Sequence, residues 1–170
     1  MTMKIRLLIV DDELRFLENL ARRLMLRGFD VTTAVNGTEA LAAADRHDFD
    51  VALVDLKMPG MSGDVLLQRL KVSHPLTEVI ILTGHGSTEA AAHCTEAGSY
   101  SYLQKPCETQ VLLETVKDAY QQRVARKLGI DGTRMEGLLR GTTGKDPLDI
   151  LQRLRELEEE LTPQDDVGKL

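Results

Sequence analysis

The chain has 170 residues, a net charge of -6 and 42% hydrophobic residues, which suits one domain with a sizeable core plus an appendage and makes a nucleic-acid groove a poor first expectation. Cys94 and Cys107 lack CxxC spacing and read as free thiols of a reducing cytosol, not a disulfide scaffold. No apolar run approaches the roughly 20 residues of a membrane span, and the short apolar run at the N-terminus lacks a signal peptide's h-region and cleavage site, so a soluble cytoplasmic protein without membrane partners is expected.

RLLIV at 6–10 reads as a strand, and Leu14, Leu17, Leu20 and Leu24 then recur at helical spacing until Gly28. Phe29, Val31 and Thr33 alternate with polar residues as a second strand; Asn36-Gly37 makes a turn, and an Ala-rich helix runs to about His47. DVALVDL at 50–56 predicts a third strand and KMPGMSG at 57–63 a loop, with Val65, Leu66, Leu67 and Leu70 on a third helix. EVIILTG at 78–84 is a fourth strand, followed by a small-residue helix ending at Gly98. YSYLQKP at 100–106 is a fifth strand broken by Pro106, and Val111, Leu112, Thr115, Val116 and Ala119 carry a fifth helix. Strands apolar on both faces that alternate with helices predict an α/β fold: a doubly wound, five-stranded parallel sheet with five helices over 1–122.

Residues 123–170 read as a C-terminal helical extension. Its first part is broken by Gly. DPLDILQRLRELEEEL at 146–161 predicts a helix capped by Asp146, with Pro147 in its first turn and a stripe of Leu148, Leu151, Leu154, Leu157 and Leu161. TPQDDVGKL at 162–170 reads as a frayed tail.

The polar residues that interrupt the strands are Asp11 and Asp12, Asp55, Thr83 and Lys105. All fall at carboxyl ends, hence on one edge of the sheet, where ligands of such folds bind. Three converging carboxylates raise each other's pKa, and a divalent cation relieves this; hard oxygen donors in small number suit Mg²⁺. Lys105 offers a point charge and Thr83 a hydroxyl to phosphate oxygens, which suits phosphoryl transfer with Asp55 as nucleophile. Taken singly, Asp12 could instead cap the first helix, Asp55 could be an ordinary strand-end acid, and Lys-Pro could simply stop a strand.

The order DD, DxKMPGMSG, TG and KP resembles that of two-component response-regulator receiver domains over about residues 4–122. ILTGHGSTEAAAHCTEAGSYSYLQKP is especially similar to receivers of nitrogen-regulation activators. Those continue into an ATPase domain and a DNA-binding domain, for which this sequence has no counterpart. The resemblance implies a flavodoxin-like strand order 2-1-3-4-5. It implies Asp55 as phosphoacceptor, Asp11 and Asp12 as the acidic pair around Mg²⁺, and the Lys57 carbonyl as a further ligand. It also implies Thr83 and Lys105 on the phosphoryl group, Tyr102 as a switch aromatic and a cis peptide before Pro106. The implied partners are a sensor histidine kinase or phosphotransfer protein and a downstream protein target. The implied role is a signalling phosphoacceptor limited to self-phosphotransfer and autodephosphorylation, not a turnover enzyme.

Two alternatives share parts of this pattern. A phosphatase of haloacid-dehalogenase type needs D-x-D after the first strand, where Asp11-Asp12-Glu13 supplies Glu13 instead of the second Asp. A flavodoxin-like FMN carrier needs a Ser/Thr-rich phosphate loop there. Other fragments fail on spacing: GMSGD as a nucleophile elbow, GHGSTE as a dinucleotide fingerprint, GTTGKD as a P-loop, and His93, Cys94 and Cys107 as metal ligands. His85, two residues after Thr83, reads as a solvent-facing loop residue; the alternative is that it and the Lys57 side chain flank the water path to an acyl phosphate. From 123 onward nine Lys/Arg face ten Asp/Glu with no paired helix-turn-helix pattern, which argues against direct nucleic-acid binding. The leucine stripe is expected either to lie on its own domain or to pair with a second copy as a homodimer.

Overall fold

The computed structural model describes residues 4–142 and 146–163. The elements are β1 (Arg6–Val10), α1 (Leu14–Met25), β2 (Asp30–Ala34), α2 (Gly37–Arg46), β3 (Val51–Val54), α3 (Gly63–Ser73), β4 (Glu78–Thr83), α4 (Thr88–Glu96), β5 (Ser101–Gln104), α5 (Thr109–Leu128), α6 (Gly132–Leu139) and α7 (Pro147–Leu161). The strands form one parallel sheet in the order β2-β1-β3-β4-β5, so the doubly wound expectation holds.

The alternation of side chains along each strand divides the core in two. Leu7, Ile9, Val51, Leu53, Ile80 and Leu82 join α1 and α5 on one face. Leu8, Val10, Ala52, Val54, Val79 and Ile81 join α2, α3 and α4 on the other. The register pairs Val10 with Val54, so Asp11 and Asp55 leave neighbouring strands side by side. Thr83 pairs with Gln104, which brings Lys105 to the same edge.

Two features of the C-terminal part depart from expectation. Helix α5 runs without a break through residue 122 and ends at Gly129, whose φ of 66° is the left-handed conformation that glycine adopts without strain. The Gly-broken stretch contains a helix, α6, because the Asp131 side chain caps it by accepting from the Arg134 N–H at 2.8 Å. Helix α7 forms as predicted, with Asp146 accepting from the Leu148 N–H at 3.0 Å. Its Leu151 and Leu154 join the α1–α5 core together with Met135 of α6 and Tyr120 and Val124 of α5. The stripe therefore lies mainly on its own chain; Leu161, at its end, remains 38% exposed. The tail expected at 162–170 falls largely outside the described residues. No helix among the described residues is long and apolar enough to cross a membrane.

The amino-terminal edge of the sheet carries a network of buried charges. Asp50 is fully buried and accepts from the Arg6 N–H at 2.8 Å and from Arg123 Nε at 2.9 Å. Glu78 accepts from Arg126 Nη1 at 2.6 Å. Glu158 of α7 accepts from Lys127 Nζ at 2.8 Å, from Arg155 Nη1 at 3.3 Å and from the Tyr120 hydroxyl. Burial alone would raise the Glu158 pKa, but Lys127, Tyr120 and Arg155 together hold it below the usual value. Burial and the neighbouring Glu158 push the Tyr120 hydroxyl far up. These pairs fasten the last two turns of α5 to the start of β1, β3 and β4, and Glu158 fastens α7 to α5.

Candidate functional site

At the opposite edge, Asp11, Asp12 and Asp55 each offer a carboxylate oxygen within 4.8 Å of the others. Asp11 and Asp55 are buried and Asp12 is exposed. The Asp11 backbone N–H donates to the Ala34 carbonyl, and the Asp55 N–H to the Val10 carbonyl at 2.9 Å, extending the ladder one residue past each strand. Asp11 Oδ1 accepts from the Glu13 N–H at 2.9 Å, and Asp55 Oδ1 from the Leu56 N–H at 2.8 Å. The N-cap of α1 is Glu13, without a side-chain cap, so Asp12 does not play the capping role considered for it.

Lys105 Nζ donates to Asp11 Oδ2 at 2.5 Å and lies 3.9 Å from Asp55 Oδ2. The same ammonium stands 3.9 Å from the centroid of the Phe16 ring. The Lys105–Pro106 peptide is cis, as expected. Burial raises the Asp55 pKa and Asp11 adds to this, while the Thr83 hydroxyl and Lys105 act against it. The pocket is thus over-negative for a buried site: two buried carboxylates and a third at the rim face one lysine.

Thr83 is fully buried at the end of β4, and its Oγ1 accepts from the His85 N–H at 3.1 Å. Tyr102 lies on β5 beside the α2–α4 core, and its hydroxyl is buried without a hydrogen-bond partner. A Cβ on Gly86 would come within 2.7 Å of that hydroxyl, so glycine at this position makes room for the ring. Lys57 and His85 are both exposed on loops that follow the strands carrying Asp55 and Thr83. His93 faces Asp64 at 3.6 Å, Cys94 is buried and Cys107 is half-buried.

Two residues of this edge have contacts that the sequence did not signal. Gly63 starts α3 directly against the Asp55 carbonyl, where a Cβ would overlap that oxygen; KMPGMSG marked a loop and part of the receiver-like motif, but not this close approach. Phe16 looks like any helix residue, because the lysine it faces lies far along the chain.

A doubly wound sheet with an acidic pocket and a lysine across its carboxyl edge defines a class of phosphoacceptor-like folds, and comparison with known proteins narrows the class. The response regulator receiver domain model matches residues 7–117, and the chain belongs to that family. It is 35% identical over 150 residues to the DNA-binding transcriptional regulator NtrC of Salmonella typhimurium, covering 86% of this chain and 32% of that protein. The chain therefore spans about a third of the length of that curated relative. A receiver domain protein from Clostridium thermocellum matches with a TM-score of 0.67 and 35% identity, over 74% of this chain and 98% of that one. A CheY-like receiver domain protein from Methanospirillum hungatei gives 0.70 and 32%, over 72% and 98%. The domain is thus a receiver of two-component signalling; the phosphatase and FMN-carrier alternatives are not favoured.

Proposed function

We propose that Asp55 accepts a phosphoryl group from the phosphohistidine of a sensor histidine kinase or phosphotransfer protein, or from a small phosphodonor. An Asp55 oxygen attacks phosphorus; with phosphohistidine the P–N bond breaks and its electron pair leaves with the imidazole, and with acetyl phosphate the P–O bond breaks and its pair leaves with acetate. The observation that carries this reading is the convergence of the Asp11, Asp12 and Asp55 carboxylates within 4.8 Å, with Lys105 3.9 Å from Asp55. This donor set, all hard oxygens and over-negative, fits Mg²⁺. Asp11, Asp12, Asp55 and the Lys57 carbonyl would hold the ion, which when bound supplies positive charge beside the phosphoryl oxygens. Lys105 exchanges Asp11 for a phosphoryl oxygen, and Thr83 donates its hydroxyl to another.

Tyr102 then turns into space released by Thr83, and the face of α4, β5 and α5 changes its preference for a downstream protein target or a second copy. This is a population shift driven by one local charge. Lys57 and His85, exposed on either side, set water access to the acyl phosphate and hence its lifetime. Residues 1–122 act as the receiver and 123–170 as a helical extension, of which α6 and α7 pack onto the receiver core, in a cytoplasmic protein whose partners are proteins and not nucleic acid. The domain signals and does not turn over a substrate. Asp55→Asn should abolish Mg²⁺-dependent labelling by acetyl phosphate; undiminished labelling would sink the assignment.

A further inference from the structure

We infer that Phe16 is a positioning residue for the phosphoryl site, its ring face holding the Lys105 ammonium on the Asp55 side of the pocket. The inference rests on the phosphoacceptor reading above. Lys105 Nζ has three close neighbours: Asp11 Oδ2 at 2.5 Å, Asp55 Oδ2 at 3.9 Å and the Phe16 centroid at 3.9 Å. Its side chain is only 12% exposed, so the cation exchanges much of its hydration for these contacts. An aromatic face attracts a cation through its quadrupole, more strongly where water is excluded. It offers no oxygen to the ammonium, so the three N–H donors stay free for carboxylate and phosphoryl oxygens.

The ring is itself held. Phe16 sits in the first turn of α1, four residues after Asp12, and packs against the core on the α1–α5 face. It lines a small crevice with Leu20, Leu82, Cys107 and Leu112. A lysine on its own is a point charge on a flexible four-carbon stem. Here a rigid helix fixes where that charge stands. During phosphorylation Lys105 must leave one oxygen for another, and the ring contact involves neither, so it persists through the exchange. A Leu or Met at position 16 would fill much of the volume but leave the ammonium to water and to Asp11.

The full chain carrying Phe16→Leu, Phe16→Met or Phe16→Tyr tests this in two ways. In metal-free protein, carbon-resolved NMR should find the Lys105 ε-methylene protons shifted upfield by the ring in wild type and in Phe16→Tyr. In the Leu and Met variants they should return to ordinary positions. With Mg²⁺ and acetyl phosphate, Leu and Met should slow labelling by about five-fold, a factor within the range of a partly desolvated cation–π contact, and Tyr should restore it. Ordinary ε-methylene shifts in wild type would overturn the proposal, as would Tyr and Leu variants that label equally fast. Labelling of Asp55→Asn at the wild-type rate would instead refute the phosphoacceptor reading and leave the ring-current result standing.

Discussion

At the amino-terminal edge of the sheet each buried acid has cations of its own. Asp50 meets Arg6 and Arg123, Glu78 meets Arg126, and Glu158 meets Lys127 and Arg155. At the carboxyl-terminal edge Asp11 and Asp55 share Lys105, and Asp12 adds a third carboxylate at the rim. The residue types are the same and the balance is opposite. A completed network resists change, because breaking one pair strands a buried charge. An incomplete one is unfavourable alone and gains from any cation or phosphoryl group that completes it. One edge fastens the extension; the other, on the phosphoacceptor reading proposed above, is finished by a ligand.

The sharpest way to break this comparison is to neutralise one acid at each edge. Asp55→Asn should abolish labelling while leaving thermal stability equal or higher, since it removes a buried carboxylate that Asp11 repels. A lower melting temperature would place Asp55 among the structural acids. Asp50→Asn should do the reverse: it strands Arg6 and Arg123 and should cost about 3–5 kcal/mol in denaturant unfolding, with labelling of the folded fraction unchanged. Leu154→Ala, at a fully buried position of the α7 stripe, should cost about 2–5 kcal/mol if the extension shares the receiver core. Two separate unfolding transitions would show instead that it folds apart.

The pH dependence tests the Glu158 end of the network. Its folded pKa lies below its ordinary value of 4.5, so its stabilisation is fully present above that value and fades as pH falls through the folded one. Wild type should exceed Glu158→Gln in stability near neutrality, with the gap closing below about pH 4.5. A gap that is constant with pH would contradict the charged pairing. The smallest effect on stability is expected from Asp12→Asn, within about 0.5 kcal/mol because the residue is exposed, although it should raise the Mg²⁺ concentration needed for labelling.

The carboxyl edge was legible in the sequence because polar residues there interrupt apolar runs, and an interruption is a local signal. Asp11, Asp55, Thr83 and Lys105 each end or follow a strand, and the doubly wound order brings them together. The amino edge was not legible. Asp50 and Glu78 looked like strand boundaries, and their burial depends on Arg123 and Arg126, which are distant in the chain. Counted only as part of a charge-balanced tail, Arg123 gave no sign of a buried partner. Helix α6 was hidden for another reason: Gly132 and Gly137 lower its propensity, and packing of Met135 overrides that. The interplay of Phe16 with Lys105 is likewise a contact between remote residues.

The most direct test of the unfinished edge is to incubate the chain with acetyl phosphate, with and without Mg²⁺, and to locate the added phosphoryl group by peptide mapping. The account predicts addition only with Mg²⁺ and only on the peptide containing Asp55. Addition without the metal, or on a peptide from the amino edge such as that containing Asp50, would contradict it.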